Sequence, residues 1–217
     1  MDIRKYSRQG GLIPETSSKI AILGVGNVGS YVALMLTKIG LSNIVLVDDD
    51  IVELPNTATQ LFSEANIGQL KTEATASLCE QLAGIRPETA TIADQKRLAA
   101  DYVILAIDSI EGRLQAIDDT RETARAYIDS RQGALNIEVY TGRADYIAEN
   151  LRALDFSQAS ACAAKGIAFT SAITGGLVAN EMRKILTAPV RDQFFRLSLD
   201  DILIFKSKNY GQENATS

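Results

Sequence analysis

Apolar residues in this chain come in short unbroken runs separated by stretches of helical spacing. The run at 19–23 (KIAIL) has the length and composition of a strand buried on both faces. A helical pattern follows over 28–38, ended by Gly40, and a second apolar run lies at 43–47. Helical spacing returns over 67–83. Runs at 89–93 and 100–107 (ADYVILAI) predict third and fourth strands, 111–126 an amphipathic helix and 127–130 a further short strand. Strands alternating with helices specify a parallel, doubly wound sheet.

The pattern then changes. Segments 134–141 and 144–149 alternate apolar and polar residues on either side of Gly142, which predicts antiparallel strands. Segment 151–165 is irregular. Segment 167–186 has helical spacing and is rich in Gly, Ala, Ser and Thr, so it should pack closely on a neighbour. A last pair of strands is expected over 194–205, around Asp200 and Asp201. The fold expected is α/β, a Rossmann-like, doubly wound, mostly parallel sheet with antiparallel strands added in the C-terminal third. It forms one domain over 1–217, with an N-terminal arm at 1–18, a crossover segment at 150–166 and a frayed tail at 207–217.

Composition narrows the chemistry. The 217 residues are 46% hydrophobic and 23% charged, with a formal net charge of -5, which disfavours nonspecific binding to nucleic acid or acidic membrane. No apolar run is long enough to span a bilayer and no charged-then-apolar leader is seen, so the expectation is a cytoplasmic protein. There is no histidine, and the cysteines are Cys79 and Cys162. Histidine catalysis and a four-cysteine zinc site are excluded, leaving acid–base work to Asp, Glu, Lys or Tyr. Cys79 lies in an apolar helical pattern and reads as core.

The first two runs bracket a G-x-G-x-x-G loop, Gly24, Gly26 and Gly29, at the strand-to-helix turn. Gly24 permits the turn, Gly26 lets a phosphate approach the backbone, and Gly29 lets helix and strand pack closely. The following helix directs its free N–H groups at that phosphate, and Asp48 at the end of the next strand is placed for a ribose hydroxyl. On the fingerprint alone the nucleotide would be NAD. Asp48 and Asp50, the loop from Asn56 to Lys71, and Asp108 with Arg113 all fall at the same carboxyl edge of the sheet. Acids that can hold magnesium beside cations that can neutralise phosphate suit Mg-nucleotide chemistry better than hydride transfer.

In order along the chain stand Y-S-R-Q at 6–9, GVGNVGS at the glycine loop, LVDDDIVE at 46–53, Asn56 and Gln60, IGQLK at 67–71, and AIDSIEGR at 106–113. With these the chain resembles the ThiF, MoeB and ubiquitin-activating enzyme superfamily, over about 6–186. The resemblance implies adenylation of the C-terminal glycine carboxylate of a ubiquitin-like or sulfur-carrier protein, using MgATP. It implies that Gly24, Gly26, Asn27 and Gly29 cradle the nucleotide, Asp48 binds its ribose, and Asp50, Asn56 and Gln60 lie beside it. It further implies that Lys71 contacts the phosphates, Asp108 holds Mg2+, Arg113 shapes the site, and Arg8 reaches into the partner's site in a homodimer. Cys162, in SACAAKG, stands in the segment where superfamily members often carry a cysteine that captures the acyl group as a thioester. A small buried residue in an alanine-rich turn is the competing reading of Cys162.

Two departures stand out. The superfamily's N-x-x-R-Q run has Thr59 in place of its arginine, and no CxxC pair is present, which marks a minimal form. Arg131, in DSRQG, is a candidate to supply the missing cation from a neighbouring loop. Two other readings stay open: a degenerate nucleotide-binding subunit that supports an active partner, and, last, an NAD-dependent oxidoreductase.

Overall fold

The computed structural model describes residues 3–154 and 166–208. An eight-stranded sheet runs in the order β3-β2-β1-β4-β5-β6-β7-β8. Its strands are β1 (Ile20–Leu23), β2 (Ile44–Val47), β3 (Glu88–Ala90), β4 (Tyr102–Leu105), β5 (Ala126–Gly133), β6 (Asn136–Gly142), β7 (Gln193–Ser198) and β8 (Leu203–Lys208). The five strands from β3 to β5 are parallel, and β6 to β8 are added antiparallel. The mixed α/β sheet is the one expected.

Residues on β1, β2 and β4 are buried on both faces, because helices cover the sheet on each side. One core layer joins Ile20, Ile22 and Ile44 to helices α1 (Asn27–Lys38), α2 (Lys71–Ala83) and α5 (Ala168–Thr187). The other joins Ala21, Leu23 and Val103 to α3 (Ile110–Thr120) and α4 (Ala144–Arg152). Gly175 of α5 lies so close to α1 that a Cβ there would stand 2.9 Å from Tyr31 Cβ, the tight packing its composition predicts. Cys79 is fully buried in the first layer, and burial pushes its thiol pKa up.

Three expectations are corrected. Segment 144–149 is helix α4, not a strand: Ile147, Ala148 and Leu151 form one buried stripe, and its strictly apolar–polar reading covered too few residues to exclude period 3.6. The helix expected from 67 begins at Lys71, because Gly68 takes φ +85° and Leu70 bridges to Ile51. The helix expected to reach 126 stops at Thr120, since Ala126 and Tyr127 are fully buried in β5 beside Tyr102 and Val103.

The N-terminal arm forms a 3-10 helix, Ile3–Gln9. Gln9 Nε2 donates to Lys38 O at 3.4 Å, and the Tyr6 ring covers Gly40. The arm therefore sits at the C-terminal end of α1. Among the described residues no helix is long and apolar enough to cross a membrane.

Candidate functional site

Strand order reverses between β1 and β4, and open α/β sheets bind ligands where it does. A cleft of about 930 Å³ opens there at the carboxyl ends of the strands. Gly24 takes φ +87°, and a Cβ on it would lie 2.6 Å from Ala106 O of the adjoining strand. A Cβ on Gly29 would lie 1.9 Å from Gly24 O, so α1 can seat on the loop only with glycine there. Gly26 differs: the nearest atom to an added Cβ is Gln60 Nε2 at 3.9 Å. Its space opens on the cleft, and among the described residues no side chain caps the first turn of α1, which leaves N–H donors for an anion.

Asp48 ties the loop to β2. Its Oδ2 accepts from Val25 N at 2.7 Å and its Oδ1 from Asp50 N at 2.8 Å. Burial raises its pKa, against these hydrogen bonds and the charge of Lys71. Each oxygen keeps a lone pair for a further donor such as a ribose hydroxyl. Lys71, the first residue of α2, is buried, and its Nζ lies 2.7 Å from Asp50 Oδ2. An anionic ligand would compete with Asp50 for that ammonium.

On the β4 side, Asp108 is exposed, lines the cleft and has no hydrogen-bond partner among the described residues. Ser109 caps α3 by accepting from Gly112 N at 3.1 Å. No group of three or more metal-ligating side chains occurs among the described residues. Asp108 offers the kind of exposed carboxylate with which Mg2+ is commonly held, together with phosphate oxygens and water.

The cleft thus gathers Gly24, Gly26, Asn27, Asp48, Asp50, Gln60, Lys71, Asp108 and Arg113. Gln60 Oε1 is buried beside the glycine loop without a hydrogen-bond partner among the described residues, an acceptor that a ligand donor could meet. Two predicted binders stand outside the lining. Gly29 packs against Gly24 O beneath the loop. Asn56 turns away, because its Oδ1 accepts from Glu53 N at 2.8 Å and closes the short 3-10 helix Leu54–Ala58. Arg113 lies in the lining, and its guanidinium donates to Leu105 O and pairs with fully buried Asp129, so it braces the floor. Arg8 is exposed on the arm and does not line this cleft. Cys162 lies outside the described residues.

Sequence reading missed much of the far wall, where Gln132, Asn136, Glu138 and Arg196 stand with Arg131. β5 runs on to Gly133, past the short strand at 127–130 that the sequence pattern predicts. It outruns β4, which pairs only as far as Asp129, so its last residues overhang the cleft. Arg131, Glu138 and Arg196 are direct cross-strand neighbours on successive strands. Gln95 and Asp119, joined at 3.0 Å, complete the lining on the α3 side.

A doubly wound α/β domain with a glycine loop, flanked at one edge by acids and by cations from neighbouring strands, is the class this geometry defines. The ThiF family model matches residues 14–209, and the chain belongs to the ThiF family. It is 34% identical over 126 residues to the ubiquitin-like modifier-activating enzyme 5 of Aedes aegypti, covering 54% of this chain and 30% of that protein. It is 38% identical over 112 residues to the tRNA threonylcarbamoyladenosine dehydratase of Bacillus subtilis, covering 46% of this chain and 43% of that one. The matches thus span less than half of either relative. In fold it is similar to Escherichia coli MccB solved with MccA (TM-score 0.72, 18% identity, 96% of this chain and 72% of that one). It is similar also to PaaA (TM-score 0.69, 21% identity, 88% and 64%).

Proposed function

We propose that this protein adenylates a carboxylate, using MgATP, at the C-terminus of a ubiquitin-like or sulfur-carrier protein. The observation that carries the reading is the convergence of the glycine loop, Lys71 and Asp108 on one cleft in a ThiF-family chain. Relatives named as ubiquitin-like modifier-activating enzymes support the substrate class.

In this reading a carboxylate oxygen attacks the α-phosphorus of ATP. The new P–O bond forms as the bond to the bridging oxygen breaks, and pyrophosphate leaves with that electron pair. Two anions approach and negative charge grows on the leaving group, so fixed cations and N–H donors do most of the catalytic work. The first turn of α1 and the backbone around Gly26 receive phosphate. Asp48 holds the ribose and, through Val25 N, the shape of the loop. Lys71 exchanges Asp50 for phosphate oxygens. Asp108 would hold magnesium, which when bound would supply further neutralisation of phosphate charge. Arg8 serves the cleft of a second copy, which makes the working unit a homodimer. Cys162 is the candidate acceptor of the acyl group as a thioester.

A specific observation favours a second reading. Thr59 stands where similar enzymes have an arginine and spends its hydroxyl on Asn27, which leaves the loop one cation short. On that reading the chain is a nucleotide-binding subunit supporting an active partner.

Calorimetric titration with MgATP and, separately, with NAD tests the site. MgATP binding that is lost in Asp108→Ala is the expected result, and binding of NAD alone overturns it. ATP–pyrophosphate exchange dependent on added carrier protein then separates the enzyme from the supporting subunit.

A further inference from the structure

We infer that Arg131 is the residue that receives the substrate's carboxylate, on the side of the cleft opposite Lys71. The inference rests on the adenylation reading and extends it to the second substrate.

The geometry begins with Asp129, fully buried in β5 and flanked by two guanidinium groups. Arg113 pairs with its Oδ1, and Arg131 Nε donates to its Oδ2 at 2.8 Å. One carboxylate between two arginines leaves a surplus positive charge at the wall of the cleft. Arg131 holds that surplus in the lining of the cleft. Its Nη2 lies 2.7 Å from the same Asp129 oxygen, yet among the described residues neither Nη1 nor Nη2 has a well-directed hydrogen-bond acceptor, and both are buried. Buried donors of this kind are costly unless something accepts from them.

The neighbouring groups do not take up the charge. Glu138, directly across from Arg131 on β6, is engaged by Arg196 Nε at 2.7 Å. Tyr140 lies under the Arg131 guanidinium, 4.3 Å from ring centroid to Cζ, and its ring stacks in turn on Phe194. The guanidinium is thereby held in one plane by the Asp129 ion pair at Nε and Nη2 and an aromatic face beneath, with neither Nη making a hydrogen bond of good geometry among the described residues. A planar fork matches the two oxygens of a carboxylate.

Position selects the carboxylate over the phosphates. Along the carboxyl edge of the sheet the order is Asp48 after β2, the glycine loop after β1, Asp108 after β4, and Arg131 on β5. Lys71 is tied to Asp50 on the β2 side of the loop. In a displacement at phosphorus the nucleophile enters opposite the leaving group. With Lys71 attending the pyrophosphate, the nucleophile arrives from the β5 side, where Arg131 waits. Arg131 is then no replacement for the arginine missing at position 59: it addresses the other anion.

The test uses the full chain with two probes, MgATP and 5′-O-(N-glycylsulfamoyl)adenosine, a stable mimic of an adenylated glycine. The acyl oxygen of the mimic stands where a carboxylate oxygen was. Arg131→Gln is expected to weaken the mimic about 10- to 100-fold while MgATP affinity stays within about twofold. Arg131→Lys, which keeps the charge beside Asp129 but loses the fork, should recover part of the loss. Thermal melting of both variants checks that the sheet is intact. A matching loss of MgATP and pyrophosphate affinity in Arg131→Gln overturns the proposal in favour of a phosphate ligand. Unchanged binding of both probes overturns it in favour of a purely structural arginine. Wild-type protein that binds neither probe overturns the adenylation reading itself, and the assignment of Arg131 with it.

Discussion

Thr59 Oγ1 donates to Asn27 Oδ1 at 2.9 Å, so the residue in the arginine's place is knitted to the first residue of α1. Thr59→Val removes this bond and should cost about 1 kcal/mol in urea unfolding. Thr59→Arg should raise MgATP affinity about tenfold, by adding a cation beside the glycine loop. Calorimetry decides it, and unchanged affinity would show that position 59 does not face phosphate.

Gly26 and Gly29 are three residues apart and should respond oppositely to alanine. At Gly29 the added Cβ meets Gly24 O at 1.9 Å, backbone against backbone, so Gly29→Ala should unfold at markedly lower denaturant concentration. At Gly26 the Cβ meets nothing closer than 3.9 Å. Gly26→Ala should keep wild-type stability within about 0.5 kcal/mol and lose nucleotide affinity, because the methyl occupies the space a phosphate needs. Equal stability losses in the two variants would contradict the geometry.

Asp108 is exposed and unpartnered among the described residues, so replacing it removes no packing or hydrogen bond there. Asp108→Asn should melt with the wild type yet bind ATP no better with magnesium than without it. A magnesium-dependent gain that survives in Asp108→Asn would place the metal elsewhere.

Asp129 is expected to be the most sensitive charged residue of the described core. Asp129→Asn leaves Arg113 and Arg131 without an anionic partner, and breaking a buried ion pair typically costs about 3–5 kcal/mol. Denaturant unfolding measures it. A loss under about 1 kcal/mol would mean that water already screens the pair.

Burial, and then the charge of Glu138, push the Tyr140 pKa up to about 12. An unfolded tyrosine ionises near pH 10, about two units lower. Between these values the folded chain keeps a proton that the unfolded chain has lost, so stability falls as pH rises through that window. Tyr140→Phe should flatten this alkaline loss. It should not abolish it, because burial also raises the Tyr127 pKa. Urea midpoints at several alkaline pH values check the slope, and an unchanged slope would argue against a buried phenol at 140.

The glycine loop and the strands that bracket it were legible in the sequence. Gly24, Gly26 and Gly29 announce their conformations by being glycine, and the runs before and after them are too apolar for any place but the middle of a sheet. What escaped was long-range pairing. Nothing near Arg113 in the chain says that Asp129, sixteen residues on, will claim its guanidinium in the core. Nothing near Asn56 distinguishes a side chain that faces a ligand from one that closes its own turn. The 144–149 segment failed for a related reason, since its buried stripe is completed only by Leu151, beyond the window that was read as a strand.

The arm packs against the far end of α1. A helix of 12 residues is about 18 Å long, so the arm lies roughly that far from the glycine loop of its own chain. If a cleft is completed by Arg8, the arginine comes from another molecule. Competence then becomes a matter of mass action: specific activity per chain should fall on dilution and recover when an Arg8-bearing chain with a dead cleft is added. Such a protein would measure its own abundance, working only where enough of it has accumulated.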